Sequence, residues 1–205
     1  MSADNLREAL VEEIRDLYNA EKQLVKALPK MAKGAESDEL REAFESHLEE
    51  TEGQVTRLER VFELLDERPR GKHCAGMAGI VEEGSEKLQE DLEGSVLDAV
   101  LIASAQKVEH YEIGAYGTAI AWAEALGLSD VVTILNETLE EEKAADEKLS
   151  ALAESGINQA ATQGENEEAE QEDEEEETRA TSSRRGAQEQ PQAGAKSARA
   201  RGGRR

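Results

Sequence analysis

The chain has 205 residues, 47 acidic against 24 basic for a formal charge of -23, and is 38% hydrophobic but only 3% aromatic. Poverty in aromatic residues beside an abundance of Ala, Leu, Glu and Lys nearly excludes an all-β fold, and the single cysteine, Cys74, excludes an internal disulfide. No apolar run approaches the roughly 20 residues of a membrane span, and the opening MSADNLREAL has no basic and apolar leader pattern, so the expected location is cytoplasmic.

Four segments carry helical periodicity, which makes the expected fold class all-α. In the first, Leu6, Leu10, Ile14, Leu17, Leu24, Leu28 and Met31 recur at steps of three and four, Pro29 should kink the last turns, and Gly34 supplies the stop. Ser37 is the expected N-cap of a second helix, with the acids Asp38 and Glu39 at its positive end and a stripe running from Leu40 through Phe44, His47, Thr51, Val55, Leu58 and Phe62 to Leu65. The glycine-rich span from Asp66 to Gly94 holds one short amphipathic stretch, too weakly periodic for a core helix, and reads as a crossover. A third helix follows with Leu97, Leu101, Ala105, Val108, Ala115, Ala119, Trp122 and Leu126, ended by Gly127. Ser129 is the expected cap of a fourth, which carries Val131, Ile134, Leu135, Thr138, Ala145, Leu149 and Leu152 and is closed by Gly156. Two short turns and one long connection between the second and third helices give the connectivity of a ferritin-like four-helix bundle.

Beyond Gln159 the periodicity stops. Glu165 to Glu177 holds ten acids and no base, whereas Thr178 to Arg205 holds eight bases and one acid. Such a segment cannot bury enough apolar surface to offset its ordering entropy, so the expected domains are a bundle over residues 1–158 and a disordered tail over 159–205. The bundle carries 36 acids against 16 bases, which repels nucleic acid and attracts cations. A weak nucleic-acid contact by the basic terminus is the lesser reading of the tail, because that terminus must escape both its acidic neighbour and the acidic bundle.

A shift of 91 positions superposes the first helix on the third and the second on the fourth, with Leu10 on Leu101, Leu17 on Val108, Phe44 on Leu135 and Leu58 on Leu149. It also puts Glu21 on Glu112 and Glu50 on Glu141. A lone Glu on an apolar stripe usually packs its methylenes and keeps its head in water. Glu21 and Glu112 instead interrupt their stripes in mid-course, at equivalent places. Burying such carboxylates costs several kcal/mol unless something positive lies between them. Two divalent ions, Fe or Mn, meet that need, since carboxylates are hard ligands that can bridge metals and an imidazole is acceptable to either.

Bundle sites of this kind take a Glu from each of two helices and a Glu and His three apart from the other two. Here His47 and Glu50 are three apart, as are Glu109 and Glu112, although His47 precedes its Glu and the fourth helix has no His. The candidate ligands are therefore Glu21, His47, Glu50, Glu109, Glu112 and Glu141. Glu142 competes with Glu141, because it fits the step from Thr138; the repeat favours Glu141, because Glu142 superposes on Thr51. His73 and His110 fall off the stripes. Tyr18 is a candidate hydrogen-bond partner for the site, Tyr111 and Tyr116 read as packing, and Cys74, beside Lys72 and His73, reads as a surface thiol.

The segments LYNAEKQLVKALPKMAK from Leu17, HLEETEGQVTRLE from His47, KVEHYEIGAYGTA from Lys107 and ETLEEEKAADEKL from Glu137 resemble those of the bacterial YciE/YciF ferritin-like proteins, as does the crossover HCAGMAGIVEEG. The resemblance covers about residues 4–158. It implies a bundle related to rubrerythrin and ferritin, a dimetal centre, a homodimer and a part in general stress responses. Carried over onto this chain, the family's metal positions fall on Glu21, Glu50, Glu112 and Glu141 or Glu142, with His47 and Glu109 as additions. Two functional classes stay open on this reading: a redox-active centre handling peroxide or dioxygen, and a non-catalytic helical stress protein whose metal is structural. An iron store is a weaker third.

Overall fold

The computed structural model describes residues 5–92 and 94–163. They form five α-helices: α1 (Leu6–Gly34), α2 (Asp38–Leu64), α3 (Ala75–Lys87), α4 (Gly94–Ala125) and α5 (Ser129–Leu152), followed by a π-helical turn, Ala153–Ile157. The four long helices α1, α2, α4 and α5 are the four read from the sequence. Hairpins α1–α2 and α4–α5 pack so that α1 lies against α4 and α2 against α5, while α3 covers α1 and α4 from outside.

Helix starts and stops follow from local chemistry. The Asn5 side chain accepts the Glu8 amide at the head of α1, and Ser37 accepts the Leu40 amide at the head of α2. Pro29 lies within α1, which continues to Gly34. The turn after α1 is held from across the bundle: buried Asp98 on α4 accepts the amides of Glu36 and Ser37, each at 2.8 Å. Gly127, at φ 71, ends α4 in a left-handed conformation that a side chain would strain. Ser129 is not a cap. It is the first residue of α5, Leu128 occupies the cap position without a side-chain bond, and the Ser129 carbonyl accepts Thr133 Oγ1 instead.

The short amphipathic stretch of the crossover is a regular helix. This thirteen-residue helix, α3, has Cys74 as its N-cap, with Sγ accepting the Met77 amide at 3.3 Å. Cys74 is fully buried, so the expected surface thiol is instead an anchor. Its amide donates to Asn19 Oδ1, its carbonyl accepts from Gln23, and its sulfur lies 3.0 Å from the Tyr111 hydroxyl. The α3 pattern is weak because the helix buries only Met77 and Gly84 of its own residues. Gly76 is needed for the approach, since a Cβ there would stand 2.8 Å from the Tyr111 ring.

Two apolar cores fill the bundle at its two ends. One gathers Leu10, Ile14 and Leu17 with Leu58, Phe62, Ala119, Val131 and Leu135. The other gathers Leu24, Leu28, Leu40, Phe44, Leu101, Ala105 and Leu149 with Cys74 and Met77. Between them every long helix turns polar at the same height: Glu21 on α1, His47, Thr51 and Gln54 on α2, Glu109 and Glu112 on α4, Thr138 and Glu142 on α5, all buried.

Gly156 departs from helical geometry, but the chain resumes a helix over 158–163, so regular structure runs past the boundary expected at 158. The remainder of the expected tail, from residue 164 on, lies outside the described residues. No helix among the described residues is long and apolar enough to cross a membrane.

Candidate metal centre

The polar layer exists because each stripe substitutes one to three polar residues for apolar ones at positions that the fold still turns inward. Residues three and four apart share a helix face, so Glu109 and Glu112 point together, and Glu142 follows Val131, Leu135 and Thr138 inward. Potential ligand atoms of His47, Glu109 and Glu142 all lie within 4.8 Å of one another. His47 stands between two acids, with Nε2 3.3 Å from Glu109 and Nδ1 3.5 Å from Glu50, and neither nitrogen makes a hydrogen bond. Tyr116 donates its hydroxyl to Oε1 of Glu21, leaving Oε2 without a partner.

Both carboxylate oxygens of Glu112, both of Glu142 and one of Glu109 are also buried without a hydrogen bond. Among the described residues no Lys or Arg is buried with them. Native proteins rarely leave buried polar atoms unpaired.

The electrostatics express the same imbalance. Burial, reinforced by the charge of Glu142, pushes Glu21 up to about 8, and burial with the nearby charges of Glu21, Asp146 and Glu50 pushes Glu109 up to about 8. Glu112 rises well above the carboxylate range through burial and the charges of Glu21, Glu142 and Glu109. Glu142 rises likewise through burial and Glu109. Burial opposes charge on His47, but the neighbouring Glu50 carboxylate and the charges of Glu142 and Glu21 outweigh it, and its affinity for a proton goes up. Metal-free, the layer holds protons where it would otherwise hold charge.

Of the residues expected as ligands, Glu21, His47, Glu109 and Glu112 enter this layer and two do not. The Glu50 side chain is 44% exposed and touches the layer only through His47. Glu141 is the clearer correction. It lies one position, about 100° of helix, from the inward Glu142, and Arg57 holds it in a two-pronged ion pair at the surface. The repeat itself survives, because Glu50 and Glu141 are equivalent as rim residues. What the shift cannot show is that Glu142 stands inward where the first half has Thr51.

Several contributors were not read as such. Tyr116, taken for packing, is four residues beyond Glu112 and so shares its face. Gln54, also buried, donates to Glu141 but keeps Oε1 unpaired. Arg57 donates to Thr138 as well as Glu141, stitching α2 to α5 beside the layer. Tyr18 is buried in the core with Phe62, and its hydroxyl donates to Glu59 at 2.8 Å and not to the layer.

The donor set of four carboxylates, one imidazole without a hydrogen bond and no thiolate fits hard divalent ions such as Fe(II) or Mn(II), and ligand atoms of His47, Glu109 and Glu142 are close enough to share one.

Comparison with known proteins agrees with this architecture. Residues 5–162 match the family described as "Domain of unknown function (DUF892)". The chain is 43% identical to protein YciF of Escherichia coli over 162 residues, 78% of this chain and 98% of that protein. The crystal structure of that stress protein superposes with a TM-score of 0.74, covering 76% of this chain and 99% of the other. YcfI from Rhodopseudomonas palustris gives 0.71 at 46% identity, covering 73% and 97% of the two chains, and a protein from Xanthomonas campestris gives 0.61 at 25% identity, covering 79% and 99%.

Proposed function

This chain belongs to the DUF892 family, that of the stress protein YciF, and we propose that within it the chain binds divalent metal, iron or manganese, in the polar layer between its two cores. His47, Glu109 and Glu142 would hold one ion, and Glu21 and Glu112 would complete a centre for two by sharing carboxylates. The observation that carries this reading is the group of buried carboxylate oxygens without hydrogen-bond partner or cation. Leaving that many acids unpaired in a core costs several kcal/mol, and a cation turns the cost into binding energy.

Iron or manganese held there would supply Lewis acidity and redox capacity toward peroxide or dioxygen. The protein's own part is separable from that chemistry. The two apolar cores exclude bulk water from above and below the layer, Tyr116 fixes the carboxylate of Glu21, and His47 sets the end of the layer nearest solvent.

Elemental analysis of protein purified without added metal, followed by peroxide consumption with and without chelator, tests the reading. Iron or manganese at about two ions per chain supports it. Metal without turnover leaves a structural role for the ion, and protein free of metal that also refuses added iron and manganese overturns the proposal.

A further inference from the structure

A cavity of about 110 Å³ opens at the seam of α2 and α5 and ends on the metal-centre layer. Its mouth carries exposed Glu50 and Lys148, its walls include Ala105 and Ala145, and its floor is formed by His47 and Glu109. The larger cleft of about 630 Å³ under α3 is bordered by neither His47 nor any of the four interior acids. Of the two, the seam cavity is the one that reaches the layer, and it does so along a line of donors. Exposed Glu50 faces one nitrogen of His47, and the other nitrogen faces Glu109.

We propose that this cavity is the route by which ions and small reactants reach the interior acids, with Glu50 as a transit ligand that takes a cation at the mouth and passes it to His47 and Glu109. The proposal rests on the metal-binding reading above. At the narrow mouth Glu50 offsets the charge of Lys148, which would otherwise repel incoming cations. The alanine walls keep the cavity small. The reactants that suit it are a metal ion, peroxide or dioxygen.

The test uses the full chain, stripped of metal and mixed with cobalt(II) chloride. Uptake is followed by the visible absorption of bound cobalt, and release by extraction into EDTA. Glu50→Gln should slow uptake about tenfold, the low end of what electrostatic focusing contributes to an association rate, with the final cobalt content unchanged. Ala145→Leu, which fills the wall, should slow uptake and extraction together. Glu49→Gln, which removes an equal charge from an exposed neighbouring position outside the cavity, should behave as the parent.

Parent rates in both Glu50→Gln and Ala145→Leu, with cobalt bound, overturn the route and leave the metal centre standing. A lower cobalt content at equilibrium in Glu50→Gln makes Glu50 a resident ligand and also overturns its transit role. Failure of the parent protein to take up cobalt overturns the metal reading and this inference together. Should Ala145→Leu fail to fold, the surface variant Glu50→Gln decides.

Discussion

The hydroxyl of Tyr116 is bonded to the carboxylate of Glu21 across 95 positions of sequence, both side chains fully buried and on different hairpins. One oxygen of Glu21 is thereby committed and the other is left facing the layer. Removing the hydroxyl exchanges a half-satisfied buried acid for a wholly orphaned one, a loss of about 1–3 kcal/mol.

Tyr116→Phe should accordingly lower the melting temperature of the metal-free protein by roughly 2–4 °C for each kcal/mol lost. Bound metal should recover part of the loss, because it satisfies the freed oxygen. Thermal unfolding with and without iron(II), under anaerobic conditions, checks both parts. An unchanged transition in both states would show that the bond contributes nothing to holding Glu21.

Adjacent glutamates on α5 should behave in opposite ways. Glu142→Gln removes an interior carboxylate and should weaken metal binding at least tenfold, while raising the stability of the metal-free fold at neutral pH, because a buried Gln is neutral without taking up a proton. Glu141→Gln should leave metal content intact and cost up to about 1 kcal/mol through its half-exposed pair with Arg57. Metal titrations and melting curves of the two variants make the comparison, and equal effects on metal would return the ligand role to Glu141.

The metal-free protein should lose stability as pH rises. Glu21 and Glu109 have folded-state values near 8, above the ordinary carboxylate value of 4.5. Between these limits the native state keeps protons that the unfolded chain has released, so raising pH favours unfolding. Their stabilising effect is complete below about 4.5 and gone above about 8. Melting in EDTA at intervals from pH 5 to about 8.5 should show a steady decline, and saturating metal should flatten it. A metal-free transition that is constant or rises over this range would contradict the burial of the acids.

Cys74 should be inert. Burial raises its thiol value, and the nearby Asp16 carboxylate adds to the rise. The native protein should react with a thiol-specific disulfide reagent at least tenfold slower than the denatured chain. Rapid labelling in the native state would mean that α3 lifts off the bundle.

The sequence exposed most of this fold, for physical reasons that also explain where it failed. Long stripes such as Leu10 to Met31 are read easily because each helix has one buried face. Helix α3 was not, because it packs from outside and needs little apolar surface. Among the acids, Glu21 and Glu112 were legible because each interrupts a stripe. The choice between Glu141 and Glu142 was not, since the two halves of the repeat have diverged there and the ion pair of Glu141 with Arg57 links helices 84 positions apart. Tyr116 illustrates the same limit: an aromatic residue on a core face looks alike whether or not its hydroxyl has a task.

Neither hairpin owns the polar layer. Glu21 and His47 come from α1–α2, whereas Glu109, Glu112 and Glu142 come from α4–α5. An ion held between them gains its full set of ligands only after the hairpins have docked, so its effect falls on the separation of the two halves and little on their assembly. With metal bound, the layer would act as a lock between the two hairpins, lengthening the lifetime of the folded chain and leaving its refolding rate nearly untouched.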